Sequence, residues 1–349
     1  MSFRQALSFD DVLLIPNRTE IDSRSDLNTK VKFLGYDLEM PILSANMASV
    51  TGKEMILAMA GMGNMAIFHR MNTVTDVGQL INYSINRMAS RFFGVSFGIG
   101  DDWIARVEQA RDNNVAMCCL DVAHAHSRKV GEVIKEYWQI TDTPLIVGNV
   151  ATAGGFHFIV SKTPEKYYDR LAVKVGIGGG SLCTTRIQTG HGIPTLQSVL
   201  DVSVMRNERF PDVQIVADGG IKNSGDIVKS LAAGADVVML GSLLAGTDQA
   251  PGEVIIGNNG SKFKIYRGSA SFGDKRSRGA ETRNIEGSES LIPYKGDVCK
   301  ILRSLQDGIL SGLSYSGWDS VSELTSEGNG SFIQITNSGY RESLPHGIL

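Results

Sequence analysis

The sequence predicts an α/β protein built as a closed (β/α)8 TIM barrel. Three observations carry that expectation: eight short apolar runs, the helix-like stretches between them, and the chemically distinctive residues gathered at the C-terminal ends of the runs. The runs are residues 40–44, 63–68, 92–98, 116–122, 144–149, 171–177, 213–218 and 236–241. Each is apolar at successive positions rather than at alternate ones, which is the pattern of parallel strands covered on both faces. A typical intervening helix is 225–235, with Ser224 expected to cap its start and Gly234 near its end. A doubly wound sheet is the alternative, but it usually places G-x-G-x-x-G after its first strand, and 44–50 contains no glycine. The 349 residues therefore read as one barrel domain, 1–349, with a short N-terminal arm and a C-terminal tail.

Composition narrows the function. Thirty-four Lys and Arg against 37 Asp and Glu leave a net charge of −3 with no long run of either sign, which argues against nucleic-acid and polybasic membrane surfaces. Hydrophobic residues make up 42%, too many for a disordered chain. The N-terminus carries Arg4, Asp10 and Asp11 among its apolar residues, so it is not expected to be a secretory signal. The longest membrane candidate, 55–68, is short and broken by Gly61 and Gly63. Four cysteines are too few for a disulfide scaffold, and adjacent Cys118 and Cys119 lack zinc-ligand spacing. A cytoplasmic protein with reduced thiols is expected.

In chain order, the runs end at Asn46, at His69 and Arg70, at Asp121 to Ser127, at Asn149, at the loop 176–186, at Asp218-Gly219-Gly220 and at Gly241-Ser242. In a barrel these ends form one face, where active sites are built. Glycines after the seventh and eighth strands let a phosphate approach backbone N–H groups, although the same glycines also suit tight turns. Asp218 ahead of them can accept from a ribose diol, which makes the ligand a nucleotide. Cys118, Cys119 and Cys299 read as small buried hydrophobes. Cys183 differs, because it follows four glycines, has Thr184 and Thr185 beside it, and has Arg186 near enough in sequence to favour the thiolate. The carbonyls of such a loop can also hold a monovalent cation.

Five stretches of this sequence resemble the IMP dehydrogenase/GMP reductase family: Ser8-Phe-Asp-Asp-Val-Leu-Leu-Ile-Pro16, the loop 176–186, Ala217-Asp-Gly-Gly-Ile221, Tyr266-Arg-Gly268 and Pro293-Tyr-Lys-Gly296. Together they span nearly the whole chain. The resemblance implies a homotetrameric barrel that redox-modifies C2 of a purine nucleotide, GMP or IMP, with a nicotinamide cofactor and a covalent cysteine adduct. It implies Cys183 as nucleophile and Thr185 with Glu286 as the proton relay, although Glu286 by itself reads as a solvated loop carboxylate. Ser181, Gly219, Gly220, Gly241, Ser242, Tyr266 and Gly268 would hold the 5′-phosphate side, and Asp218 the ribose. Asp121, Asn149 and Gly176 would face the cofactor. The carbonyls of Gly178, Gly180 and Cys183 would face a potassium-type ion.

Within the family the motifs divide. Asp121-Val-Ala-His-Ala-His-Ser127, Gly148-Asn-Val-Ala-Thr152, Asn223-Ser-Gly-Asp226 and Arg341-Glu-Ser343 resemble dehydrogenases. Asn46-Met47, the length and the lack of a CBS pair after the second strand resemble reductases. Mechanism favours the reductase. The dehydrogenase hydrolyses its adduct with water activated by an Arg-Tyr pair on a long flap, and here only the 17 residues 269–285, without a tyrosine, separate Gly268 from Glu286. The expectation is an NADPH-dependent GMP reductase. A CBS-free IMP dehydrogenase using NAD is the alternative, with Arg276 or Arg278 as its water-activating base. A non-catalytic nucleotide-binding barrel is the third reading, and retention of Cys183, Thr185 and Glu286 together argues against it. Ala48, Arg70, Gly179, Ser269 and the segment 161–170 depart from the family pattern, and the first and fourth of these border the expected base or cofactor site.

Overall fold

All eight apolar runs become strands of one closed parallel barrel in the computed structural model, which describes residues 3–86, 92–268, 286–328 and 331–345. The strands are β1 (Ile42–Ser44), β2 (Met65–Phe68), β3 (Phe93–Phe97), β4 (Met117–Asp121), β5 (Leu145–Val150), β6 (Leu171–Val175), β7 (Gln214–Asp218) and β8 (Val237–Leu240). Each pairs with the next, and β8 returns to β1 through Val238 opposite Ile42. Every residue of β1, β2, β3, β6 and β8 is buried, which explains why the runs are apolar without alternation. The chain is a (β/α)8 TIM barrel.

The outer layer consists of α1 (Lys53–Gly61), α2 (Val74–Ile85), α3 (Trp103–Asp112), α4 (Arg128–Ile140), α5 (Ala153–Val160), α6 (Thr195–Arg209), α7 (Ser224–Ala232) and α8 (Val298–Ser316). In α4, Val130, Val133, Ile134 and Tyr137 recur at helical spacing and form the buried stripe, while Arg128 pairs with Glu132 on the exposed side. At α7 the expected cap is corrected. Ser224 is the first helical residue, and Asn223 caps, because its extended backbone lets its side-chain oxygen accept from Asp226 N at 2.9 Å.

Further elements lie outside the barrel. A hairpin, Val31–Phe33 with Tyr36–Leu38, is tied to the start of β7 by Gln214, which accepts from Leu34 N and donates to Lys32 O. Val12–Leu14 pairs antiparallel with Phe332–Gln334, joining the N-terminal arm to the C-terminal region. Between β8 and α8, the strands Ile255–Ile256, Lys262–Arg267 and Glu289–Pro293 form an antiparallel sheet. Ser269, Arg276 and Arg278 lie outside the described residues. Among the described residues no helix is long and apolar enough to cross a membrane.

Candidate active site

The C-terminal ends of the strands enclose a cavity of about 600 Å³, within the range of roughly 300–1,000 Å³ usual for small-molecule sites. Its wall includes Asp121 from β4, Asn149 from β5, Lys174 from β6 and Asp218 from β7, together with the loop that leaves β6. That loop begins at Gly176, where φ is +146° and a Cβ would lie 1.9 Å from the Asp218 carbonyl oxygen. Only a residue without a side chain lets the chain turn so close to the end of β7.

The loop is held from two sides. Cys183 N donates to Gly180 O at 3.0 Å, closing the turn before the cysteine. The segment entering the antiparallel sheet then fastens onto it, with Thr184 N donating to Glu286 O at 3.0 Å and Ser288 N to Leu182 O at 2.9 Å. Gly268 N in turn donates to Ser288 O at 2.9 Å. This places the Glu286 carboxylate over the loop. Thr185 donates to Glu286 Oε2 at 2.8 Å, and Cys183 Sγ donates to Thr185 Oγ1 at 3.1 Å. The three side chains form a continuous path from a thiol to a carboxylate, which is what a nucleophile with a proton relay requires.

Arg186 is anchored on the far side of the loop. Its Nη2 donates to Ile193 O at 2.9 Å, and the hydroxyl of Thr185 is what the sulfur meets. His69 turns inward beneath the loop after β2, where Nδ1 accepts from Met71 N at 3.2 Å. Cys118 and Cys119 are fully buried, and burial pushes both thiols up to about 12, so neither forms a thiolate near neutrality.

A second cluster lies across the cavity. Lys174 is 3% exposed, and its Nζ donates to Asp218 Oδ2 at 2.9 Å, to Asp121 Oδ1 at 3.3 Å and to Asn149 Oδ1. Asn149 Nδ2 donates to Asp218 Oδ2 at 2.8 Å and to Gly176 O at 2.7 Å. Arg70 Nε stands 3.5 Å from the other oxygen of Asp121. Burial works against the charges of Lys174 and Asp121, but their partners outweigh it. The two aspartates hold the ammonium above the usual lysine range, and Lys174 with Arg70 holds Asp121 below the usual carboxylate range. Sequence reading missed Lys174, although a lone charge inside the apolar run 171–175 was a signal for it.

Of the residues expected in the site, Cys183, Thr185, Glu286, Ser181, Asp218, Gly219, Tyr266, Asp121, Asn149, Gly176, Gly178 and Gly180 line this one cavity. Gly220, Gly241, Ser242 and Gly268 stand behind its wall. A Cβ on Gly241 would come within 2.9 Å of the Tyr266 hydroxyl, so the turn after β8 meets the cavity through that phenol. Burial pushes the Tyr266 hydroxyl above its ordinary pKa and keeps it a donor. The Ser242 carbonyl accepts from Lys295, and Gly220 lies against Phe9 and Gly179. The Gly180 carbonyl retains a second lone pair beyond its bond from Cys183 N, so its use in the turn is compatible with a cation at the loop.

Comparison with known proteins gives a consistent assignment. The family model for the IMP dehydrogenase/GMP reductase domain matches residues 6–346. The inosine-5′-monophosphate dehydrogenase of Nitrosopumilus maritimus is 29% identical over 486 aligned positions, covering 100% of both chains. That alignment is far longer than the 349 residues here, so the archaeal enzyme carries more than a hundred residues without counterpart in this chain. A GMP reductase of Ligilactobacillus salivarius is 34% identical over 312 residues, covering 88% of this chain and 91% of its own. A variant GMP reductase from Trypanosoma brucei, solved in complex with guanosine 5′-monophosphate, superposes with a TM-score of 0.89 at 25% identity over 100% of this chain and 99% of that one. With a barrel whose cavity joins a cysteine, a threonine and a glutamate on a glycine-rich loop, and with the family model matched almost end to end, this chain belongs to the IMP dehydrogenase/GMP reductase family.

Proposed function

We propose that the protein is a GMP reductase, converting GMP to IMP and ammonia with NADPH through a covalent adduct on Cys183. The observation that carries this reading is the assembled path from Cys183 through Thr185 to Glu286, set beside a connecting segment, 269–285, that is short and holds no tyrosine. The sulfur of Cys183 adds to C2 of the guanine, and its proton passes along the hydroxyl of Thr185 toward Glu286. The same relay returns a proton to the exocyclic nitrogen, the C2–N bond breaks, and ammonia leaves. NADPH, when bound, would supply a hydride to C2; the C–S bond then breaks, IMP is released, and the thiolate left on Cys183 takes up one proton from solvent to restore the starting thiol. None of these steps needs an activated water.

The nucleotide is proposed to lie with its ribose on Asp218 and its phosphate against Ser181, Tyr266 and the turns 219–220 and 241–242. The cofactor is proposed to lie against Asp121, Asn149 and Gly176, with a monovalent cation at the carbonyls of Gly178, Gly180 and Cys183 and with four chains in the assembly. The dehydrogenase reading is favoured by a specific observation of its own, the full-length similarity to an archaeal IMP dehydrogenase. One pair of assays separates the two. With GMP and NADPH, steady loss of the reduced cofactor and release of ammonia are expected. With IMP and NAD, about one equivalent of NADH per site is expected, followed by slow turnover, because general-base assistance to hydrolysis is worth about 10²–10⁴ in rate. Continuous formation of XMP without oxidation of NADPH by GMP overturns the proposal.

A further inference from the structure

We infer that Lys174 is a positioning residue that couples the nucleotide half of the cavity to its cofactor half, so that each ligand tightens the binding of the other. The inference rests on the proposed placement of the ribose at Asp218 and of the cofactor at Asp121 and Asn149. What joins those two places is one buried ammonium. It stands on β6, between β5 and β7, and bonds residues at the ends of three other strands: Asp121 on β4, Asn149 on β5 and Asp218 on β7. Gly148 makes the crossing possible, because it is paired with Lys174 across the β5–β6 ladder and a Cβ there would meet the lysine Cβ at 2.5 Å.

An ammonium has three donors, and here three acceptors take them. A ribose hydroxyl that donates to Asp218 satisfies part of the charge that holds the ammonium on that side. The bonds from Lys174 to Asp121 and to Asn149 then strengthen, and both cofactor-facing side chains are held more firmly. Linkage requires the converse effect to be equal. The charged and titratable neighbours leave this balance to the lysine. Arg70 reaches Asp121 only at 3.5 Å, Cys119 beside the ammonium stays a neutral thiol, and Tyr266 near Asp218 stays a neutral phenol.

The test is calorimetric titration of the full chain with GMP and NADP⁺, a pair that cannot exchange hydride, each alone and in the presence of the other. Wild-type protein is expected to bind GMP at least about 5-fold more tightly when saturated with NADP⁺, and NADP⁺ more tightly by the same factor when saturated with GMP. In Lys174→Met the factor falls to about 1 while each ligand still binds, since no charge links the two sides. Lys174→Arg retains it, because a planar fork of charged donors spans both carboxylates. Should Lys174→Met fail to fold, Lys174→Gln carries the test: a neutral amide keeps hydrogen bonds to the neighbouring carboxylates without the charge that joins the two sides, each ligand still binds and the factor again drops. An unchanged factor in the Met or Gln variant, or independent binding of the two ligands to wild type, overturns the inference and leaves the two subsites standing. Failure of either ligand to bind wild-type protein overturns the reading of the cavity, and the inference with it.

Discussion

Among the four cysteines, surroundings rather than residue type set Cys183 apart from the fully buried Cys118 and Cys119; Cys299, expected to be buried, is half-buried at the start of α8. Cys118 and Cys119 are held at full burial in β4, where the cost of a charge pushes their thiols up to about 12. Cys183 is half-buried on a loop, lines the cavity and meets the Thr185 hydroxyl. Replacing it with alanine removes the only atom proposed to bond C2 and leaves the ribose and phosphate contacts in place. Cys183→Ala is therefore expected to lose turnover while still binding GMP. Mass spectrometry of wild-type protein quenched during turnover is expected to show a nucleotide-sized increment that the variant lacks. Full activity in Cys183→Ala would rule out the adduct.

At the scale of elements, the pairing of β5 with β6 governs the site's geometry. Gly148 faces Lys174 across this ladder, and a Cβ would lie 2.5 Å from the lysine Cβ and 2.9 Å from its carbonyl oxygen. Neither atom is the free end of a flexible side chain, so the strands themselves must part. Gly148→Ala is expected to destabilise the fold by about 1–3 kcal/mol, as overpacking of a well-filled interior does. It is also expected to raise KM for both substrates, because Lys174 and Asn149 move together. Denaturant unfolding and steady-state kinetics of the one variant check both halves; native stability with native KM would show that the ladder tolerates a methyl group.

For the molecule as a whole, ligand binding and stability are one measurement, because the cavity gathers side chains from separate strands and from the sheet that follows β8. A ligand that binds only the folded chain stabilises it by about 2.7 kcal/mol at 100 times its Kd. The proposed anchoring falls largely on the phosphate, where charge-assisted hydrogen bonds contribute roughly 1.5–3 kcal/mol each. GMP is thus expected to raise the thermal unfolding midpoint at concentrations where guanosine leaves it unchanged. Equal shifts from the two would contradict a phosphate site on the turns after β7 and β8.

The barrel, and the face on which its glycine-rich and polar motifs gather, were legible in the sequence alone. Eight runs buried on both sides cannot alternate, so each was visible as continuous apolar residues, and the motifs fell at their ends whatever the details of packing. Single residues whose meaning depends on distant partners were another matter. Ser224 looked like a cap because of its type, but Asn223 had the backbone angles that capping needs. Arg186 was close to Cys183 in sequence, yet its guanidinium is directed to Ile193 O. Glu286 read as a solvated carboxylate until the antiparallel sheet laid its backbone against Thr184, a contact across about a hundred residues that no local pattern encodes. Lys174 stood as an odd charge in an apolar strand, and its pairing came only with closure of the barrel, since its partners Asp121, Asn149 and Asp218 lie on three other strands. A buried charge must be paired, but the sequence cannot name the pair; tertiary structure does, because it alone brings those strand ends within reach of one ammonium.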